Sequence, residues 1–238
     1  MKDKIVTFGE LMLRLSPDKN ERFTQAHSYE AVYGGGEANT AVSLANFNVD
    51  TRYVTKLPEH TIGQSGVNSL RQYGVDVSRI VRGGDQIGIY FLEKKTSQRP
   101  TNVIYNRNGS AFALASKEDF DWDYIFKDST WFHFSGITPA ISDNMAEITI
   151  EACKEAKKRD IIISCDLNYR SKLWSSEKAN KVMSEVCKYV DICIANEDDA
   201  VGIFGLDASK SDKEKNAYIA EELTKMFPNF RLVASVWR

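Results

Sequence analysis

WFHFSGITPAISDNMAEITIEACKEAKKRDIIISCDLNYR, residues 131–170, carries the clearest fold signal in this sequence. It opens on an apolar and aromatic run at 131–134 and closes on a second apolar run at 161–165. Between them, residues 145–159 predict a helix, because apolar side chains recur there at helical spacing. Those inward-facing positions are Ile148, Ala152, Cys153 and Ala156. Two buried strands joined by a helix indicate a βαβ unit, whose strands run parallel.

The same alternation continues along the rest of the sequence. Helices are predicted at 177–189 and 216–226, and apolar strands at 192–195 and 232–236. We therefore predict an α/β fold with a mostly parallel central sheet and helices on both of its faces.

Residues 86–115 carry a different pattern. The runs at 87–92 and 102–106 are rich in strand-forming residues, and residues 98–100 between them predict a turn. Because no helix intervenes, these two strands should pair antiparallel, unlike the rest of the chain.

Composition and charge exclude several classes of protein. The 238 residues carry 31 Lys and Arg against 33 Asp and Glu, a net charge of −2, which argues against a dedicated partner of nucleic acid or of an anionic membrane. A hydrophobic content of 42% is enough to bury a full core. The amino terminus has no apolar run typical of a signal peptide, and no run of about 18 apolar residues predicts a membrane span. We expect a soluble, cytoplasmic, globular protein.

The cysteines and histidines do not predict a metal site. The four cysteines form no CxxC pair and lie in apolar surroundings, which favours buried, reduced thiols over a disulfide or zinc site. The three histidines are far apart in sequence, without the spacing of metal ligands.

Polar or glycine-rich residues follow several predicted strands, where ligands bind in open parallel sheets. Gly34 and Gly35 precede a predicted helix, and their exposed N–H groups would suit a hydroxyl or carboxylate, although a tightly packed loop explains them equally well. Asp166, Asn168 and Arg170 leave the strand at 161–165 together. Arg170 could bind a carboxylate or phosphate, or form a structural salt bridge.

Two further groups are candidates for binding. Asn196 and Asp199 follow the strand at 192–195 and could support a hydrated Mg²⁺ ion, or could simply cap a helix. Tyr90, Tyr105 and Arg107 lie on the antiparallel segment and suit a polyhydroxylated acid, but exposed tyrosines on a sheet are more often there for packing.

Together these segments resemble the ribokinase/PfkB family of carbohydrate kinases. The matching motifs lie at residues 9–10, 34–39, 166–170, 173–174 and 196–199. Residues 87–93, 97–100 and 131–139 are similar to the subgroup of that family that phosphorylates 2-keto-3-deoxygluconate. The likeness extends from residue 4 to about residue 236.

The resemblance implies a ribokinase-like fold and the ATP-dependent, Mg²⁺-assisted transfer of a phosphoryl group to the primary hydroxyl of a sugar acid. It assigns the substrate to Gly34, Gly35, Tyr90, Tyr105, Arg107 and Arg170. It assigns the nucleotide and phosphates to Asn168, Arg170 and Asn196. It assigns the metal to Asp199, which stands where the family has a glutamate.

The resemblance also implies how the chain is organised. Residues 1–238 would form a single kinase domain, incomplete at its carboxyl end. Its lid segments, about 11–33 and 86–115, would form a small antiparallel sheet that covers the sugar. A homodimer or higher homo-oligomer would assemble through this lid.

One family motif does not occur in these 238 residues. Family members continue into a Gly-Ala-Gly-Asp motif, whose aspartate is the general base. We therefore predict no catalytic residue in this chain, and we expect it to be the amino-terminal portion of a longer kinase. Two other functions stay open: a related kinase of a neutral ketose, and a non-catalytic protein that binds sugar acids.

Overall fold

The computed structural model describes residues 4–207, 209 and 215–235. The strands are β1 (Lys4–Phe8), β2 (Met12–Pro17), β3 (Tyr29–Gly34), β4 (Asp50–Val54), β5 (Lys56–Leu57), β6 (Val81–Arg82), β7 (Gly88–Glu93), β8 (Asn102–Asn106), β9 (Trp131–Ser135), β10 (Ile162–Asp166), β11 (Ile192–Ala195) and β12 (Leu232–Ser235). The α-helices are α1 (Gly36–Asn46), α2 (Thr61–Arg71), α3 (Trp122–Ile125), α4 (Ile137–Ala140), α5 (Asp143–Lys157), α6 (Ser176–Cys187), α7 (Glu197–Phe204) and α8 (Lys215–Met226). Short 3-10 helices lie at Asp18–Asn20 and Lys117–Asp119.

The chain divides into two compact units. Unit 1 contains β1 and the chain from Ser116 onward, and unit 2 is Gly9–Ala115. The single kinase domain over residues 1–238 stays a prediction.

Unit 1 contains the parallel sheet that the sequence predicts. Its strands pair in the order β12-β11-β10-β9-β1, and every one of these pairs is parallel. Helices connect successive strands, so the prediction of an α/β, ribokinase-like fold with a mostly parallel central sheet is confirmed. The helix predicted at 145–159 begins two residues earlier, at Asp143, because the Ser142 side chain caps it by accepting a hydrogen bond from the N–H of Met145.

The core of unit 1 contains a cluster of aromatic rings and four buried cysteines. Phe8 packs edge-to-face on Phe120 and Trp122, with ring centroids 5.2 and 5.5 Å apart. All four cysteines are buried and free, as predicted. Burial raises the pKa of the Cys165 and Cys193 thiols well above the ordinary value, so both stay protonated at neutral pH.

Unit 2 contains a four-stranded sheet in the order β3-β2-β7-β8. The pairing of β7 with β8 is antiparallel, as predicted. The prediction of a purely antiparallel sheet was wrong, because β2 pairs with β7 in parallel and the sheet is mixed. A long crossover containing both helices of this unit separates β2 from β7, and such a connection allows parallel strands where a hairpin would not.

One face of this mixed sheet packs onto the helices of unit 2. Leu13, Tyr33 and Ile89 contact a core built from buried side chains of the helices and the shorter strands. The core members include Ala38, Ala41, Tyr53, Leu57, Val67 and Leu70. In the part of the chain that the structure describes, no helix is both long and apolar enough to span a membrane.

A partly buried histidine lies on β9 in unit 1. The Ser164 hydroxyl accepts a hydrogen bond from the indole N–H of Trp131 at 2.8 Å, and it lies 2.9 Å from Nδ1 of His133. This arrangement fits a neutral imidazole that accepts the Ser164 proton. Burial lowers the pKa of His133 from 6.5 to about 4.

Because the folded state binds this proton more weakly than the unfolded state, His133 contributes stability above pH 6.5 that is lost as the pH falls toward 4. Between pH 7.5 and 5 the loss from this group should be about 2 kcal/mol. His133→Asn should therefore lose about 2 kcal/mol less unfolding free energy than the wild type over this interval, measured by urea denaturation. His27→Asn, at an exposed position, is the control and should retain the wild-type dependence. Identical pH profiles for wild type and His133→Asn would contradict the prediction.

Candidate functional site

In unit 2, the glycine-rich turn before α1 packs closely against neighbouring residues. Gly35 is the N-cap of α1 in an extended conformation, and a Cβ atom there would lie 2.2 Å from the carbonyl oxygen of Glu10. A Cβ on Gly34 would meet the Tyr90 hydroxyl at 3.9 Å and Oδ1 of Asn39 at 3.7 Å. Gly35 thus permits close backbone packing, whereas Gly34 keeps open the space beside the Tyr90 hydroxyl. Substrate binding by both glycines stays a prediction.

The three predicted binding residues of the antiparallel segment share one face of the sheet. Tyr90 and Tyr105 are direct partners across β7 and β8, and their ring centroids are 5.8 Å apart. The guanidinium carbon of Arg107 lies 5.8 Å from the centroid of the Tyr105 ring. The structure therefore brings together two phenolic hydroxyls and a cation, a combination suited to a polyhydroxylated acid.

Arg107 is much more buried than a lid arginine would be expected to be. Its side chain is 6% exposed and forms an ion pair with Glu10, whose side chain is 2% exposed. The Ser110 hydroxyl donates to the other oxygen of Glu10 at 2.6 Å. Burial raises the pKa of Glu10, against the opposing effects of the Arg107 charge and the Ser110 hydrogen bond.

Glu10 and Ser110 were not assigned a role from the sequence. Glu10 appeared there only as part of a family motif, although a carboxylate immediately after a buried strand and a glycine is itself a signal. Such a group must find a partner, because an unpaired buried charge is costly. Nothing in the sequence indicates that this partner lies 97 residues away, at Arg107.

In unit 1, the loops after β9 and β10 are each hydrogen-bonded through their backbones to the end of the neighbouring strand. The N–H of Gly136 donates to the carbonyl of Asp166 at 2.8 Å, and the N–H of Leu167 donates to the carbonyl of Ile194 at 2.9 Å. A Cβ on Gly136 would lie 2.2 Å from the carbonyl oxygen of Leu167. Glycine is therefore required for the approach of these two loops.

The loop after β10 presents Asn168 and Arg170. Asn168 adopts a left-handed conformation, with φ at 39°, which asparagine tolerates better than most residues. Arg170 is exposed, and its guanidinium donates to the carbonyl of Tyr169 at 3.2 Å. Among the described residues Arg170 has no acidic partner, so the alternative of a structural salt bridge is not observed. An exposed, unpaired guanidinium remains available for a carboxylate or phosphate.

Asn196 and Asp199 form a capping box at the start of α7. Oδ1 of Asn196 accepts from the N–H of Asp199 at 2.9 Å, and Oδ2 of Asp199 accepts from the N–H of Asn196 at 3.1 Å. Oδ1 of Asp199 accepts from the N–H of Tyr169 at 2.7 Å. Asp199 therefore joins the loop after β10 to the beginning of α7.

This arrangement does not fit a magnesium site formed by Asp199 as it stands. Both carboxylate oxygens accept backbone hydrogen bonds, and the residue is only 2% exposed. No cluster of three or more histidine, cysteine or acidic side chains in the described part of the chain could hold a metal ion. The geometry favours the capping alternative, and metal binding by Asp199 stays a prediction.

A parallel sheet with polar loops at its carboxyl edge, and a smaller sheet bearing tyrosines and an arginine, are typical of an α/β protein that binds a polar small molecule. The family model described as "pfkB family carbohydrate kinase" matches residues 2–230. The chain belongs to the pfkB family.

Individual relatives are consistent with this family. The chain is 37% identical over 209 residues to the 2-dehydro-3-deoxygalactonokinase of Haloferax volcanii, covering 87% of this chain and 65% of the relative. The crystal structure of 2-dehydro-3-deoxygluconokinase from Thermotoga maritima is similar, with a TM-score of 0.95, 46% identity and coverage of 99% of this chain and 71% of that one. A PfkB family carbohydrate kinase from Listeria grayi has a TM-score of 0.92 and 34% identity, over 99% of this chain and 72% of that one. The chain thus spans just under two thirds of its Haloferax relative.

Glu10 and Arg107 should stabilise the folded protein only when both charges are present. Arg107→Met leaves the Glu10 carboxylate buried without a counter-charge and should lower the unfolding free energy by about 3–5 kcal/mol. The double variant Glu10→Gln with Arg107→Met removes both charges and should regain most of that loss, as measured by urea denaturation at pH 7. A double variant no more stable than Arg107→Met would show that the two charges are not coupled.

Asp199 should stabilise unit 1 through its backbone hydrogen bonds. Asp199→Ala removes the acceptors of two N–H groups and should lower the unfolding free energy by about 2 kcal/mol. Asp198→Ala, in the same helical turn but exposed, is the matched control and should change it by less than about 0.5 kcal/mol. Equal stability of the two variants would contradict the capping role.

Proposed function

We propose that this chain forms the sugar-binding and phosphate-binding part of an ATP-dependent kinase that converts 2-keto-3-deoxygluconate to 2-keto-3-deoxy-6-phosphogluconate. Membership of the pfkB family and the likeness to 2-dehydro-3-deoxygluconokinase support the reaction and substrate class. The observation that carries the proposal is the shared face of Tyr90, Tyr105 and Arg107. It offers hydroxyls to the hydroxyls of a sugar and a guanidinium to its acidic end.

The sugar would lie against the face of the mixed sheet, beside Gly34. The Tyr90 and Tyr105 hydroxyls would exchange hydrogen bonds with the sugar hydroxyls, each acting as donor or acceptor. Nε of Arg107 is buried and has no hydrogen-bond partner among the described residues, so the guanidinium keeps donor capacity beyond its ion pair with Glu10. A donor that is shielded from water and already in place loses little on binding, which favours affinity and orientation.

The transferred phosphoryl group would be held by residues of unit 1. Arg170 presents an exposed guanidinium, and Asn168 presents an amide from the same loop. Asn196 caps the start of α7 and follows β11, which places it at the same edge of the parallel sheet. ATP supplies the phosphoryl group and Mg²⁺ its charge neutralisation; the residues of this chain bind and orient the groups between which the transfer takes place.

The identity of the sugar acid rests on likeness to two kinds of relative. The Haloferax relative is named for the galacto form of the keto-deoxy acid and the Thermotoga structure for the gluco form. We favour the gluco form, because identity is higher to the latter, 46% against 37%. A kinase of a neutral ketose is the second candidate, and a non-catalytic sugar-acid-binding protein is the third.

We also infer a homodimer through the mixed sheet, and a cytoplasmic location. Ile104 on β8 is half exposed and lies on the face opposite to Tyr90 and Tyr105, and an exposed apolar side chain on a small sheet favours a cover from a second copy. Four reduced, buried thiols and a requirement for ATP suit a reducing compartment. The small net charge of −2 gives no support for a nucleic-acid partner.

Arg170→Met tests the proposed function in the complete kinase. The residue is exposed and forms no ion pair within the described part of the chain, so its removal should not change stability, but kcat/KM for 2-keto-3-deoxygluconate should fall about 100-fold or more. Lys172→Met, an exposed cation of the same loop, is the matched control and should stay within about twofold. Steady-state kinetics with the gluco acid, the galacto acid and fructose would rank the candidates. A wild type that phosphorylates only fructose, or none of the three, would overturn the proposal.

A further inference from the structure

Arg14 occupies a position on the proposed sugar-binding face. Its Cα partners are Val32 in β3 and Tyr90 in β7, and Tyr90 is in turn the partner of Tyr105 in β8. Residues that are directly opposite each other across a sheet project from the same face. Arg14 therefore lies in one row with the two tyrosines, on the face opposite to the side chains that contact the core of unit 2.

The positive charge of Arg14 has no counter-charge among the described residues. Its side chain is partly buried and its Nε atom is shielded from water. In the described part of the chain, the Arg14 guanidinium forms no hydrogen bond and no ion pair. By contrast, Arg52 pairs with Asp76, and Arg107 pairs with Glu10.

A solvated surface arginine would be the simplest alternative. Exposed charges on the open face of a sheet are common and usually have no further role. That alternative predicts nitrogen atoms in contact with water, because a guanidinium compensates for lost hydration only through other hydrogen bonds. Arg14 differs from such a residue in being partly buried, with its Nε atom shielded from water and without a partner, so a carboxylate on this face would give the guanidinium the acceptor that it lacks.

The charges of the neighbouring site indicate what that acceptor would be. Arg107 is already neutralised by Glu10, so the pair carries no net charge. A substrate carboxylate bound there would leave one uncompensated negative charge in a partly buried place, which is unfavourable. A second cation on the same face restores the balance, and Arg14 lies in the adjacent row.

We infer that Arg14 is a substrate-binding residue whose guanidinium pairs with the carboxylate of the sugar acid, while Arg107 orients it by hydrogen bonding. The inference rests on the proposed function, in that it takes a sugar acid as the substrate. It makes Arg14 a residue that distinguishes acids from neutral sugars.

Binding measurements on the complete kinase without ATP separate this role from catalysis. Isothermal titration would give the Kd of 2-keto-3-deoxygluconate and of its uncharged methyl ester for the wild type, Arg14→Met and Arg14→Lys. Arg14→Met should raise the Kd of the acid by about 10- to 100-fold and that of the ester by less than about threefold. Arg14→Lys keeps the charge without the planar fork and should recover part of the loss. Lys94→Met removes a cation already paired with Glu30 and is the matched control, with no change expected.

The outcomes of these titrations test the role of Arg14 and the proposed function separately. An unchanged Kd for the acid in Arg14→Met, or equal losses for acid and ester, would overturn the role of Arg14 and leave the proposed function standing. A wild type that binds no keto-deoxy acid would overturn both. Should Arg14→Met fold poorly, as judged by its thermal unfolding, Arg14→Lys carries the test, because a merely structural arginine would show the same loss for acid and ester.

Discussion

The parallel pairing of β9, β10 and β11 is the constraint on which the candidate chemistry of unit 1 depends. Because these strands run in the same direction, the loops after Ser135, Asp166 and Ala195 leave from one edge of the sheet. Side chains that are 30 residues apart in sequence then meet, and Asp199 can accept a hydrogen bond from the backbone of Tyr169. A carboxylate that joins two such loops fixes their geometry, and this rigidity is what orientation of a phosphoryl group requires.

In unit 2, the corresponding constraint is the balance of buried charge. Glu10 is too buried to remain charged without a partner. Its ion pair with Arg107 also holds the arginine in place. An arginine fixed in this way makes a better-oriented donor than a mobile surface arginine, but its charge is already used. The face that carries Tyr90 and Tyr105 therefore combines pre-oriented donors with a separate, uncompensated cation at Arg14.

The location of several site residues could be predicted from their position after apolar strands, whereas their roles depended on burial and contacts. Asn168, Arg170, Asn196 and Asp199 were identifiable because polar residues directly follow apolar strands. Their roles were not identifiable, since a capping box and a metal ligand use the same residue types. Only the hydrogen bonds show that both oxygens of Asp199 are engaged by the backbone. Glu10 and Ser110 were missed because their significance lies in a contact made across about 100 residues.

Sequence pattern alone predicted the βαβ alternation, the helices at 145–159, 177–189 and 216–226 to within a few residues, the reduced thiols and the family, because periodicity, capping residues and motifs are local properties. Tertiary structure alone decided that β2 runs parallel to β7, that Arg107 is buried against Glu10, and that Arg14 shares a row with Tyr90. The physical reason is that strand order, register and burial arise from packing between segments distant in sequence. The cost of burying a charge can be judged only once its neighbours are known.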